Sequence, residues 1–138
     1  MREIIIGDET CQIRGSLWTL LIYRDEFSRS DKKADLMADV FGVIADAAKA
    51  GVDLDNLENI DISRIDMARF MGVLFPVLQV TWAMCKTAHA GGDFPGFVQW
   101  VKAHEEADLM GFLQPVMEEA QRAFFRDAAT VAKAKKTA

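Results

Sequence analysis

A mainly α fold, with about five helices around a long central helix and a short N-terminal β-hairpin, is predicted by three features of this sequence. The apolar period changes from two to helical spacing after Gly15. Residues 70–85, FMGVLFPVLQVTWAMC, are apolar on nearly every side, as in a helix at the centre of a domain. Polar, cap-bearing breaks divide most of the remaining chain into further amphipathic segments.

The hairpin is read from two β-branched-rich runs, Glu3 to Ile6 and Cys11 to Arg14, with Gly7-Asp8-Glu9-Thr10 as turn chemistry between them. Two strands alone are marginal in water, so the ribbon is expected to pack on helices or to pair through a free edge. Ser16 suits the N-cap of a first helix reaching to about Phe27. Its expected inward stripe is Leu17, Leu20, Leu21 and Phe27, widened by Trp18 and Ile22. After Arg29-Ser30-Asp31, Ser30 or Asp31 is expected to cap a second helix running to about Ala50 and ended by Gly51. Its stripe is Leu36, Met37, Val40, Phe41, Ile44, Ala47 and Ala48.

Residues 51–62 read as a polar linker. Their acidic spacing resembles a calcium loop only superficially, because the sixth-position glycine and twelfth-position acid do not occur together. Asp61 or Ser63 is expected to cap the central helix, which reaches about Ala88 and should kink at Pro76. After Ala90-Gly91-Gly92, Asp93 is the expected cap of a short fourth helix with Pro95 in its first turn. Phe94, Phe97, Val98 and Val101 would face inward, with Trp100 beside them. Asp108 is the expected cap of a fifth helix whose stripe is Leu109, Phe112, Leu113, Val116, Met117, Ala120 and Phe124, with a possible kink at Pro115. Residues 1–138 thus read as a single domain: hairpin over 1–14, helical core over 16–126, and a lysine- and alanine-rich tail over 127–138 that should fray.

The composition, 51% hydrophobic and 27% charged over 138 residues, suits a packed core. The formal net charge of -5 argues against nucleic-acid binding through phosphate neutralisation. The apolar run over 70–85 is shorter than the ~20 residues of a membrane span and holds Gln79 and Thr81, so no membrane association is expected. No secretory signal is visible, and the expected compartment is the cytoplasm. Cys11 and Cys85 read as free thiols rather than as a disulfide framework.

No catalytic residue, cofactor site or metal site is expected. His89 and His104 fall at helix C-termini, where the macrodipole favours them, and neither belongs to a metal-binding spacing. Gly91-Gly92 lacks the strand and lysine of a phosphate loop. The serines sit at helix edges, where capping explains them. Partner contact is the remaining role. Phe125 has polar Glu118, Gln121 and Arg122 at helical spacing and is a candidate exposed contact. Trp18 and Tyr23 lie toward the edges of the first helix's stripe and are the other two partner-binding candidates.

Two segments carry a family resemblance. In residues 4–29, IIIGDETCQIRGSLWTLLIYRDEFSR, the positions concerned are Gly15, Leu17, Thr19, Leu20, Leu21, Tyr23, Glu26 and Phe27. In residues 77–101, VLQVTWAMCKTAHAGGDFPGFVQWV, they are Trp82, Ala83, Met84, Lys86, Thr87, Ala88, Phe97 and Trp100. With these residues the chain resembles the tail assembly chaperones of long-tailed, non-contractile phages and prophages. That family opens with a strand pair leading into a GTL-x-TLL-x-Y-x-x-EFG helix, and its central signature is WAM-x-KTA followed by a loop and F-x-x-W. Ser16, Ser28 and His89 stand where threonine, glycine and aspartate are usual. The resemblance implies a binding protein that keeps the tape measure protein soluble, helps recruit tail tube protein, self-associates, and is absent from the mature virion. A structural or adaptor protein retained in the phage particle is the alternative.

Overall fold

A computed structural model describes residues 2–53, 62–89 and 92–125. The elements run β1 (Arg2–Ile6), β2 (Glu9–Ile13), α1 (Leu17–Phe27), α2 (Leu36–Lys49), α3 (Met67–Ala88), α4 (Phe97–Ala103) and α5 (Leu113–Phe124), with 3-10 turns at Ile62–Arg64 and Leu109–Gly111. The chain is mainly helical, with five helices and an N-terminal two-stranded antiparallel hairpin, and α3 touches all four other helices and β2. Most of the 51–62 linker, the Ala90-Gly91 pair and the 126–138 tail lie outside the described residues.

The hairpin is tighter than its sequence suggests. Only Gly7 and Asp8 form the turn, and Glu9 already belongs to β2, paired with Ile6. Gly7 takes φ 66, so glycine occupies the first central position of a two-residue hairpin loop. Ile4, Ile6 and Ile13 are buried and Ile5 is exposed, the period of two expected of a ribbon with one face on a core. That face rests on α3 and α5, and Arg14 N–H donates to Met84 O of α3 at 3.1 Å.

Where β2 turns into α1, a buried carboxylate joins the two ends of the chain. Gly15 N–H donates to Glu119 Oε2 at 2.9 Å, while Arg122 forks onto the same carboxylate at 2.9 and 2.6 Å. A Cβ on Gly15 would meet Ala123 Cβ at 2.5 Å, so the residue's role is close approach to α5.

Four helices, α2 to α5, start later than their sequence signals suggest. α2 is capped by Asp35, which accepts Ala38 N–H at 3.2 Å, rather than by Ser30 or Asp31. The chain before it is tied off by Arg29 N–H to Lys32 O and by Ala34 N–H to Ser28 Oγ. α3 is capped by Asp66 rather than Asp61 or Ser63, and Asp66 N–H donates to Ala50 O at the end of α2. α4 begins after Gly96 rather than Asp93. Pro95 disfavours a helical Phe94, and the Pro95 carbonyl is held by the Trp82 indole N–H at 3.0 Å. Asp108 caps the 3-10 turn that precedes α5. The end of α2 agrees with expectation: Val52 N–H to Ala47 O and Gly51 N–H to Ala48 O form a Schellman motif.

α3 runs unbroken through Pro76. It is 22 residues long and, by length and composition alone, apolar enough to cross a membrane. Its N-terminal half buries one stripe, Phe70, Val73 and Val77, whereas every residue from Val80 to Cys85 is buried. Trp82 centres an aromatic cluster joining α1, α3 and α4. Its ring lies 5.5 Å from Phe27 and 6.3 Å from Phe97, and Phe27 lies 4.9 Å from Phe97. Such edge-on pairs contribute about 0.5–1.5 kcal/mol each beyond the area they bury. α5 buries Leu113, Val116, Met117 and Ala120 as expected, and Pro115 falls in its first turn, where its missing N–H costs no helical bond.

Candidate functional site

The first helix is rotated from its expected orientation. Its buried residues are Thr19, Ile22 and Tyr23, while Leu17, Trp18 and Leu21 are 81%, 62% and 56% exposed. Positions 17, 18 and 21 share one side of a helix, and 19, 22 and 23 share the other. Three large apolar side chains of α1 therefore face out, beside the exposed Arg24 and Asp25. The reason is polar: Thr19 Oγ1 accepts Ser16 N–H at 3.0 Å and lies 2.7 Å from Thr87 Oγ1, while Tyr23 OH donates to Asp39 Oδ2 at 2.5 Å. The bonds to Thr87 and Asp39 reach other helices and so form only inside the fold, where each buried hydroxyl requires a partner.

Of the three partner-binding candidates, Trp18 alone is on the surface. Tyr23 is fully buried, and burial followed by its bond to Asp39 holds its hydroxyl far above the usual phenol range. Phe125, expected to be exposed, is 8% exposed and lies 4.4 Å from the Phe41 ring. It is the C-cap residue of α5, with φ -124 and ψ 14. Its side chain has left the helical phase on which the exposure argument relied. Conversely Phe41 and Val98, expected inside, are 55% and 79% exposed.

A second apolar stripe lies on α3, where Met67, Met71 and Phe75 recur every four residues and are all exposed. Unbranched methionines suit a surface that adapts to its partner. The sequence conceals this stripe because α3 is apolar on almost every side.

The third feature is a cavity of about 450 Å³ between the hairpin, the end of α3 and α4, lined in part by Glu9, Cys11, Cys85, His89 and His104. Glu9 and Cys11 are two apart on β2 and share a face. His104 caps α4 with Nδ1 2.8 Å from Trp100 O and Nε2 3.0 Å from Glu9 Oε2. One ligand atom from each of Glu9, Cys11 and His104 lies within 4.8 Å of the other two. Burial, with Glu9 adding, raises the Cys11 thiol; burial, with Cys11 and Glu9 adding, pushes the Cys85 thiol up to about 12. Neither cysteine is thus activated as a thiolate nucleophile at neutral pH.

No family model matches the chain, and no curated protein or solved structure is significantly similar to it.

Within the chain, the two segments that carry the resemblance pack against each other. Thr19 meets Thr87, and Phe27 meets Trp82 and Phe97. Half of the matching residues are buried, and the exposed ones on α1 are Leu17, Leu21 and Glu26. Lys86 adds a cation–π contact, with Nζ 5.3 Å from the Trp82 ring.

Proposed function

We propose that this protein is a binding protein of phage tail assembly. In this reading it is a chaperone that holds amphipathic helices of the tape measure protein in solution, helps recruit tail tube protein, and works in the host cytoplasm without entering the virion. The observation that carries the reading is the rotation of α1, which turns Leu17, Trp18 and Leu21 outward. Exposing such side chains forgoes about 1.5–3 kcal/mol of burial each, a cost that a partner's apolar face would offset. An amphipathic helix fits that surface through anchors three and four residues apart. The Met67, Met71 and Phe75 stripe offers a second contact of the same chemistry. The resemblance of residues 4–29 and 77–101 supplies the identity of the partner, and self-association belongs to the same expectation.

Co-expression with a tape measure protein tests the proposal. The soluble yield of that protein should rise, and a variant carrying L17Q, W18Q and L21Q should lose the effect while keeping its helical circular dichroism. A folded wild-type chain that neither binds the tape measure protein nor changes its solubility overturns the reading. Abundant copies in purified particles would favour the structural alternative.

A further inference from the structure

We infer that Glu9, Cys11 and His104 form a binding site for a divalent transition metal, zinc in the first instance, at the junction of the hairpin and α4. This inference is independent of the proposed chaperone role. The three side chains supply a carboxylate oxygen, a sulfur and an imidazole nitrogen, a donor set that suits zinc. Zinc distances of ~2.0–2.3 Å place tetrahedral ligand atoms roughly 3.3–3.8 Å apart. In this fold Glu9 Oε2 and His104 Nε2 are 3.0 Å apart, and all three ligand atoms fall within 4.8 Å of one another. Glu9 is exposed on its strand and free to make the adjustment.

The hydrogen bonding of His104 strengthens the assignment. Trp100 O is a carbonyl and only accepts, so Nδ1 carries a proton. In the neutral ring Nε2 then holds a lone pair, and it faces Glu9 Oε2, which is also an acceptor. Either a second ring proton or a cation reconciles the two. A backbone carbonyl accepting the far ring N–H is the usual support of a metal-binding histidine, because it sets the tautomer and the ring plane. That support is rigid here: Trp100 is buried, and the Trp82 bond to Pro95 O holds the segment leading into α4. Glu9, Cys11 and His104 all line the cavity, so water has access to complete the coordination of an ion held there. A bound ion would clip β2 to the end of α4 across 95 positions of sequence.

The test uses the full chain after chelator treatment, titrated with Zn(II) by calorimetry and with Co(II) by visible absorption. One equivalent of each should bind, Co(II) should show a thiolate charge-transfer band, and Zn(II) should raise the thermal midpoint. C11S should abolish the charge-transfer band and weaken Zn(II) binding at least about tenfold, the lower end of what a lost outer-shell partner alone costs. H104N, whose amide nitrogen takes the place of Nδ1 and keeps a donor for Trp100 O, should weaken binding similarly, whereas C85A should bind as wild type does. If the wild-type chain takes up no metal, Glu9 and His104 form an ion pair only and the inference fails. Binding that survives C11S and H104N, or that depends on Cys85 instead, also overturns it.

Discussion

Thr19 Oγ1 and Thr87 Oγ1 lie 2.7 Å apart in the interior and join α1 to the last turn of α3. Both hydroxyls have further partners: Thr87 Oγ1 donates to Ala83 O at 2.7 Å, and Thr19 Oγ1 accepts Ser16 N–H at the start of α1. One contact thus fixes the rotation of α1, secures its first turn and orders the end of the central helix.

That contact predicts unequal costs. T19V should destabilise by about 1–3 kcal/mol, because it leaves the Ser16 N–H without its acceptor. T87V should cost less, since the Ala83 carbonyl remains available to the helix. The double variant should be less destabilised than the sum, with a coupling of about 0.5–3 kcal/mol in a urea-denaturation cycle. Strict additivity would mean that the two hydroxyls do not interact.

Glu119 makes stability depend on acid. Burial raises its carboxyl pKa, but the hydrogen bonds from Arg122 and Gly15 N–H outweigh burial and leave it below the ordinary 4.5. A carboxyl depressed in the folded state stabilises fully above its unfolded pKa, and that contribution fades as pH falls through the folded value. Urea midpoints should therefore be insensitive to this group above the usual carboxylate range and should drop below it. E119Q should flatten that acid limb while costing about 1–3 kcal/mol at neutral pH. An unchanged acid limb in E119Q would assign it to other carboxylates.

Gly15 should tolerate no side chain. Its added Cβ would sit 2.5 Å from Ala123 Cβ, with the Phe124 ring at 3.4 Å behind it. G15A should cost about 1–3 kcal/mol through overpacking, read as a lower thermal midpoint. Pairing it with A123G removes the obstructing methyl and should recover part of the loss, beyond what a glycine in a helix costs.

The partner-binding candidates should separate by stability. W18Q should leave unfolding within about 0.5 kcal/mol of wild type, as for an exposed side chain. Y23A should cost about 3–5 kcal/mol, as for a large aromatic removed from a core. A strongly destabilised W18Q would show that Trp18 packs within the fold rather than facing a partner.

These contrasts mark how far local sequence reaches. The hairpin, the five helices, the Gly51 stop and the α5 stripe were all legible, because turn residues, caps and periodicity act over a few positions. The caps of α2, α3 and α4 were misplaced where several capping residues competed, and that of α5 because a 3-10 turn intervenes between Asp108 and the helix. Asp35, Asp66 and Gly96 prevailed through neighbours such as Ala50 O and the Trp82 indole, which local spacing does not reveal.

Which face of α1 turns inward was not a local matter. Leu17, Trp18 and Leu21 are the stronger hydrophobes, yet Thr19 and Tyr23 are buried because Thr87 and Asp39 await them on other helices. Long-range approach likewise buries Phe125 against Phe41 and brings His104 to Glu9 across 95 positions. Amino-acid order alone specifies a mainly helical protein with a hairpin and a buried central helix, since those follow from short-range periodicity and chain-breaking residues. The exposed stripe on α1 and the Glu9–Cys11–His104 cluster arise only from packing, since each depends on side chains far apart in sequence meeting in space.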